Sequence, residues 1–208
     1  MNKPQIPLEA GKFYHVYNRG NNSENLFYNH ENYQFFLRRL DEYLSAYIDI
    51  FAFCLLPNHF HLLIQVKEEV VATTDLLGFK NLAGLRHDGK SRPISKAFSN
   101  FFNSYSKAIN IQQNRHGSLF EKSFRRKLVG NTNYFANLVF YIHANPQLHG
   151  IVDDFRMYPW SSYDRIMRKT PSKLKKEEVL QWFSSAENYV SYHANKIDIS
   201  VIKELTIE

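Results

Sequence analysis

The chain has 208 residues, with 26 Lys and Arg against 20 Asp and Glu and an isoelectric point near 9.3. Its 44% hydrophobic and 15% aromatic content can fill a core, which excludes wholesale disorder, and the net charge of +6 favours an anionic partner such as nucleic acid. A single cysteine, Cys54, excludes an internal disulfide or a zinc knuckle, and no apolar run approaches the roughly 18 residues of a membrane helix, so a soluble, cytoplasmic protein is expected.

After a proline-containing lead, residues 11–20 alternate as a strand, with Phe13, His15 and Tyr17 on one side and Tyr14, Val16 and Asn18 on the other. Gly20, Asn21 and Asn22 close it as a loop. From His30 the spacing turns helical. Tyr33, Phe36, Leu37, Leu40, Leu44 and Tyr47 make one buried stripe, and Asn29 is placed to cap it. Residues 47–56 return to strand character, Pro57 and Asn58 break it, and His59 to Val66 forms the next strand. Residues 67–93 contain Gly78, Gly84, Gly89 and Pro93 without a clean period, and read as an insertion with a short helix around 75–85. A second helix over 95–113 buries Phe98, Phe101, Phe102, Tyr105 and Ile109.

Leu119 to Val129 then reads as a fourth strand carrying Lys122, Arg125, Arg126 and Lys127. A third helix over 132–144 buries Phe135, Leu138, Val139 and Ile142, and Pro146 is expected to end it by disfavouring helix at Asn145. Between 165 and 176 lie six Lys or Arg and no acid, followed by one closing helix over 177–192. The order strand, helix, strand, strand, helix, strand, helix predicts an α+β, ferredoxin-like (RRM-like) fold. Two helices cover one face of an antiparallel sheet, and the other face is left for a ligand or the third helix. The expected organisation is one domain over 1–163, then a basic linker and helical tail over 164–208.

Alternation puts His59 and His61 on one face of their strand, with Phe60, Leu62 and Ile64 on the core face. Two imidazoles one pleat apart are natural ligands for one divalent metal, although a lone pair of this kind is more often an ordinary hydrogen-bonded one. On the third helix Asn137, Tyr141 and Asn145 recur every four residues and share a face distinct from the apolar stripe. Asn145 offers an oxygen to complete a His-His-oxygen set, which suits Mg²⁺ or Mn²⁺ more than zinc, and Tyr141 is the candidate nucleophile. Spacing alone does not separate Tyr141 from an ordinary tyrosine half-buried beside a core stripe.

Taken together, His59-Phe60-His61 after Leu56-Pro57-Asn58, and Tyr141-Ile142-His143-Ala144-Asn145-Pro146, resemble the single-tyrosine HUH transposases, most closely their REP-associated branch. The similarity runs over roughly residues 12–163 and includes His15 to Gly20, the 117–129 strand and Tyr158-Pro159-Trp160-Ser161-Ser162-Tyr163. It implies His59, His61 and Asn145 as ligands of Mg²⁺ or Mn²⁺ and Tyr141 as the nucleophile. Relatives often carry glutamine where Asn145 stands, one methylene longer. It implies a strand transferase, acting as an endonuclease on single-stranded DNA near a hairpin, with a 5′-phosphotyrosine intermediate and rejoining through the free 3′-hydroxyl. It leaves open whether the chain works as a monomer or a homodimer, and places it with the nucleoid in the cytoplasm.

Arg19, Arg115, Lys122, Arg125, Arg126 and Lys127 are candidate DNA-phosphate contacts. His143, two residues from Tyr141, is expected to face elsewhere in a structural role, and His15, His116 and His149 have no role assigned. Two other readings stand beside the transferase: a domesticated hairpin-binding protein without catalysis, and an RNA-binding sheet that stacks bases.

Overall fold

Four strands carry the architecture: β1 (Phe13–Arg19), β2 (Ile48–Leu56), β3 (His59–Val66) and β4 (Arg125–Val129). They pair antiparallel in the order β2-β3-β1-β4, the expected ferredoxin-like arrangement. The computed structural model describes residues 6–68, 92–121, 123–130 and 132–194, so the expected helix around 75–85 lies outside the described residues. Helices α1 (His30–Leu44) and α2 (Arg92–Gln112) pack on one face, where Phe60 of β3 meets Phe36 of α1 at 5.1 Å and Phe102 of α2 at 5.9 Å between ring centroids. The Asn29 side chain caps α1 by accepting from the Asn32 amide at 3.0 Å, worth about 1 kcal/mol.

The opposite face is taken by α3 (Thr132–Leu148). Phe13 of β1 meets Phe135 at 4.6 Å, so alternation along β1 turns His15 and Tyr17 toward the same helix. The helix does not stop before Pro146 as its sequence predicts, but continues to Leu148. Pro146 lacks the amide that would bond Ile142. The turn is held instead by the Asn145 side-chain amide donating to the Tyr141 carbonyl at 2.7 Å and by the His149 amide donating to the Asn145 carbonyl at 2.9 Å.

Two further expectations shift. The fourth strand is shorter than 119–129: Gly20 bridges Phe120 two residues out of step with the Tyr17–Arg125 pairing, so the chain bulges out of the ladder before Arg125. Gly20 itself has to be a glycine, because a Cβ there would overlap the Glu24 carbonyl oxygen. The single closing helix is two, α5 (Lys176–Trp182) and α6 (Ala186–Ala194), preceded by the short α4 (Tyr163–Met167). Ser184 breaks the run at φ 67, and Ser185 Oγ restarts it by accepting from the Asn188 amide at 3.1 Å.

This C-terminal segment is packed on the sheet. Trp182 stacks on Phe51 at 5.0 Å and Phe135 at 4.5 Å. The Trp160 carbonyl accepts from the Leu55 amide at 2.9 Å, and the Ser162 amide donates to the Phe53 carbonyl at 2.9 Å, which covers the β2 edge. Among the described residues no helix is long and apolar enough to cross a membrane.

Candidate active site

The turn at Pro57 and Asn58 sends the chain back as β3, and the pleat aims His59 and His61 at α3. Tyr141, Asn145 and His149 follow at four-residue spacing along α3 and its end. The first and last of this series meet the histidine pair: Tyr141 lies 5.6 Å from His61, and His149 lies 4.7 Å from His59, between ring centroids. Asn145 therefore sits between them, facing the pair, whose own rings are 5.3 Å apart.

Among the described residues two buried acceptors here have no hydrogen-bond partner, His59 Nε2 and Asn145 Oδ1, and His15 Nδ1 on the neighbouring strand has none either. The first two owe this to a hydrogen bond made by the other end of the same group. His59 Nδ1–H donates to Asn58 Oδ1 at 2.7 Å, which leaves Nε2 as a bare acceptor. The Asn145 amide nitrogen is spent on the Tyr141 carbonyl, which leaves Oδ1 aimed into the site. Orphaned buried acceptors are rare and mark a missing cation or donor. Among the described residues no three His, Cys, Asp or Glu side chains converge on a metal position, so any third protein ligand would be the Asn145 amide oxygen.

His15, without a role in the sequence reading, belongs to this cluster. It is fully buried on β1, and its Nε2 lies 3.0 Å from His61 Nδ1. His149 is the second missed residue. Both were legible in principle: His15 alternates in step with Tyr17, which pairs with His61, and His149 extends the Tyr141–Asn145 series by one turn. Burial pushes His15 and His59 down to about 3, with further push from Lys127 on the former and from His149 and Arg19 on the latter. Burial, then His15, His59 and His149, hold His61 well below 6.5. All three rings are thus neutral at pH 7 and able to act as ligands or hydrogen-bond partners.

The candidate phosphate contacts divide. Arg19 pairs in register with His59 and is 41% exposed, with Ser23 Oγ at 3.1 Å and Glu121 at 3.7 Å. Arg125 and Lys127 lie opposite Tyr17 and His15 on the site face of the edge strand β4, and Arg125 hydrogen-bonds Tyr17. Arg126 points to the other face, over the Phe124 ring at 5.0 Å and bonded to the Ile6 carbonyl. Arg115 is held by Glu24 and by Asn110 Oδ1 at 2.7 Å. Lys122 lies outside the described residues. His143 is structural: fully buried, it bonds Ser162 Oγ at 2.7 Å and His193 Nε2 at 3.0 Å, tying α3 to the C-terminal segment. Asn137 is taken by the Tyr192 hydroxyl.

No protein-family model matches the chain. A Haemophilus influenzae (strain ATCC 51907) protein provisionally named a REP-associated tyrosine transposase is 27% identical over 135 residues, covering 61% of this chain and 69% of that protein. Over that span the chain resembles the REP-associated tyrosine transposases. The fold agrees. A solved structure of a REP-associated tyrosine transposase bound to a REP hairpin superimposes with a TM-score of 0.59 at 17% identity, over 82% of this chain and 88% of that one.

Proposed function

We propose that this chain is a hairpin-recognising, single-stranded DNA strand transferase of the HUH single-tyrosine type, acting with Mg²⁺ or Mn²⁺. The observation that supports this best is the meeting of Tyr141 with His61, beside two buried acceptors, His59 Nε2 and Asn145 Oδ1, that have no partner among the described residues. Nitrogen and amide-oxygen donors fit a divalent cation, and His59, His61 and Asn145 would hold it. Bound there, such a cation would supply Lewis acidity at a non-bridging phosphate oxygen.

In this reading Tyr141 Oη attacks the phosphorus of a phosphodiester. An O–P bond forms to the tyrosine, the bond to the 3′ oxygen breaks, and that oxygen leaves as a hydroxyl. The proton lost by Tyr141 balances the one gained by the 3′ oxygen. Neither His15 nor His61 is a strong enough base to keep that proton, because burial holds both far below neutral. Rejoining is the same step in reverse, with the phosphodiester energy retained in the phosphotyrosine. Arg19, Arg125 and Lys127 contribute positive charge along the site face, where a backbone would lie.

A second reading, a hairpin binder without catalysis, is favoured by one feature: Tyr141 is only 3% exposed. Labelled single-stranded hairpins taken from the flanks of the protein's own gene, incubated with Mg²⁺ or Mn²⁺, separate the two. A covalent adduct that disappears in Tyr141→Phe and His59→Ala supports the transferase. Hairpin binding without an adduct in either metal supports the binder instead.

A further inference from the structure

A groove of about 930 Å³ runs not at the histidine–tyrosine site but along the far edge of the sheet, between α1 and the segment that covers β2. Its walls carry five basic side chains, Arg38, Arg156, Arg165, Arg168 and Lys176, against one acid, Asp164. Pockets for small uncharged ligands are lined mainly by apolar groups. A groove this size with this charge is suited to a polyanion.

The basic residues differ in what holds them. Arg156 is paired with Asp154 at 2.8 Å, Arg168 with Asp164, and Lys176 donates to the Arg168 and Thr170 carbonyls at 2.6 and 2.7 Å. Arg38 and Arg165 are in no ion pair among the described residues. Arg38 is exposed on α1, and Arg165 is half-buried with its guanidinium 5.3 Å from the Phe53 ring centroid. The Asp164 carboxylate acts on Arg165 through space but is ion-paired to Arg168, so the partly desolvated guanidinium keeps a fork of donors for an anion.

The groove reaches the end of the sheet that carries the proposed active site. Its Trp160 carbonyl is bonded to the Leu55 amide near the end of β2, two residues before Pro57. The Pro57 carbonyl in turn accepts from the Leu26 and Phe27 amides, just before His30, which lines the groove against Trp160 at 4.5 Å. The groove therefore opens at the same end of the sheet as His59, on the side opposite the Arg125–Lys127 edge.

We propose that this groove is a second DNA-binding surface, in which Arg38 and Arg165 contact backbone phosphates of the hairpin while the adjoining strand reaches Tyr141. The proposal rests on the hairpin-binding reading above. Its test is fluorescence anisotropy of a flank-derived hairpin, read at several salt concentrations with the full-length protein.

Arg38→Gln/Arg165→Gln is expected to weaken binding about tenfold and to flatten the log Kd against log salt slope by about 1.4–1.8, one phosphate contact per arginine. Arg38→Gln alone, at an exposed position, is expected to lower the slope by about 0.7–0.9 with an unchanged melting temperature, and so reads the site even if the double variant folds poorly. Because Cys54 is buried, Met157→Cys in the groove wall, 78% exposed at the native side chain, provides a single accessible thiol for an azidophenacyl photo-crosslinker. Crosslinking to the hairpin is expected. Wild-type-like affinity and slope in the variants, or no crosslink from position 157, would overturn the groove. A wild-type protein that binds no hairpin would overturn the functional reading first, and the groove with it.

Discussion

Replacing His15 by phenylalanine separates metal affinity from stability. In the proposed site His61 binds through Nε2, so its Nδ1 carries the proton and His15 Nε2, 3.0 Å away, accepts it. Phenylalanine keeps a ring of similar shape in a fully buried slot and removes that acceptor. The loss leaves His61 Nδ1–H buried and unpaired, at a cost of about 1–3 kcal/mol. The same change removes an atom that is already unpaired, His15 Nδ1, and so relieves a penalty of the same size. The net effect on folding is within about 1 kcal/mol of zero. The effect on the ligand is not compensated, because the hydrogen bond that orients the His61 ring and raises its basicity is gone, and such losses weaken metal affinity about 10–100-fold. Mn²⁺ titration by calorimetry gives the affinity, and urea unfolding of the metal-free protein gives the stability. Unchanged Mn²⁺ affinity, or a stability loss of about 3 kcal/mol or more, would refute the reasoning.

Other outcomes follow from the same geometry. Arg125→Gln, on the site face, is expected to weaken DNA binding and lower its salt slope by about 0.7–0.9, whereas Arg126→Gln, turned to the other face, leaves the slope unchanged; anisotropy at varied salt decides it. Arg115→Ala is expected to lower the melting temperature without altering DNA affinity, since Glu24 and Asn110 already occupy the guanidinium. Burial pushes His193 from the usual 6.5 down to about 4, so the unfolded chain takes up the proton first as pH falls. Stability from this residue is complete above about 6.5, drains as pH falls toward about 4, and levels off below it. Between pH 7 and 5 the loss is about 2 kcal/mol, and urea unfolding of His193→Phe should show a correspondingly flatter pH dependence. Phe36→Ala, which empties a site touching Phe27, Phe60, Phe101 and Tyr105, should cost about 3–5 kcal/mol in the same assay.

Local periodicity in the sequence was enough for the strands and helices through α3 and their buried stripes, and the order of those elements predicted the sheet and its two-helix face. The elements and stripes follow from a repeat of 2 or 3.6 residues that survives any tertiary arrangement. Asn29 as a cap and the shared face of His59 and His61 belong to the same class. Where expectation and structure part, a contact that periodicity does not encode had intervened. Pro146 ends a helix only if the loosened turn finds no other donor, and the Asn145 side chain supplies one. Lys and Arg spacing along 122–127 does not show which side faces the site. The pairing of β4 with β1 decides that, sending Arg125 and Lys127 to one face and Arg126 to the other.

The site divides in the same way. The residues that could carry chemistry were recognisable in the sequence as two short, separated patterns, His59-Phe60-His61 and Tyr141 to Asn145. That His15 and His149 join them was decided only when α3 packed across β1 and β3. That Arg115 is occupied was decided only by its contacts with Glu24 and Asn110; the structural place expected for His143 is filled by its bonds to Ser162 and His193. Burial and partnership are properties of that packing and not of any stretch of chain. They set both the neutrality of the histidines and the two acceptors left unsatisfied.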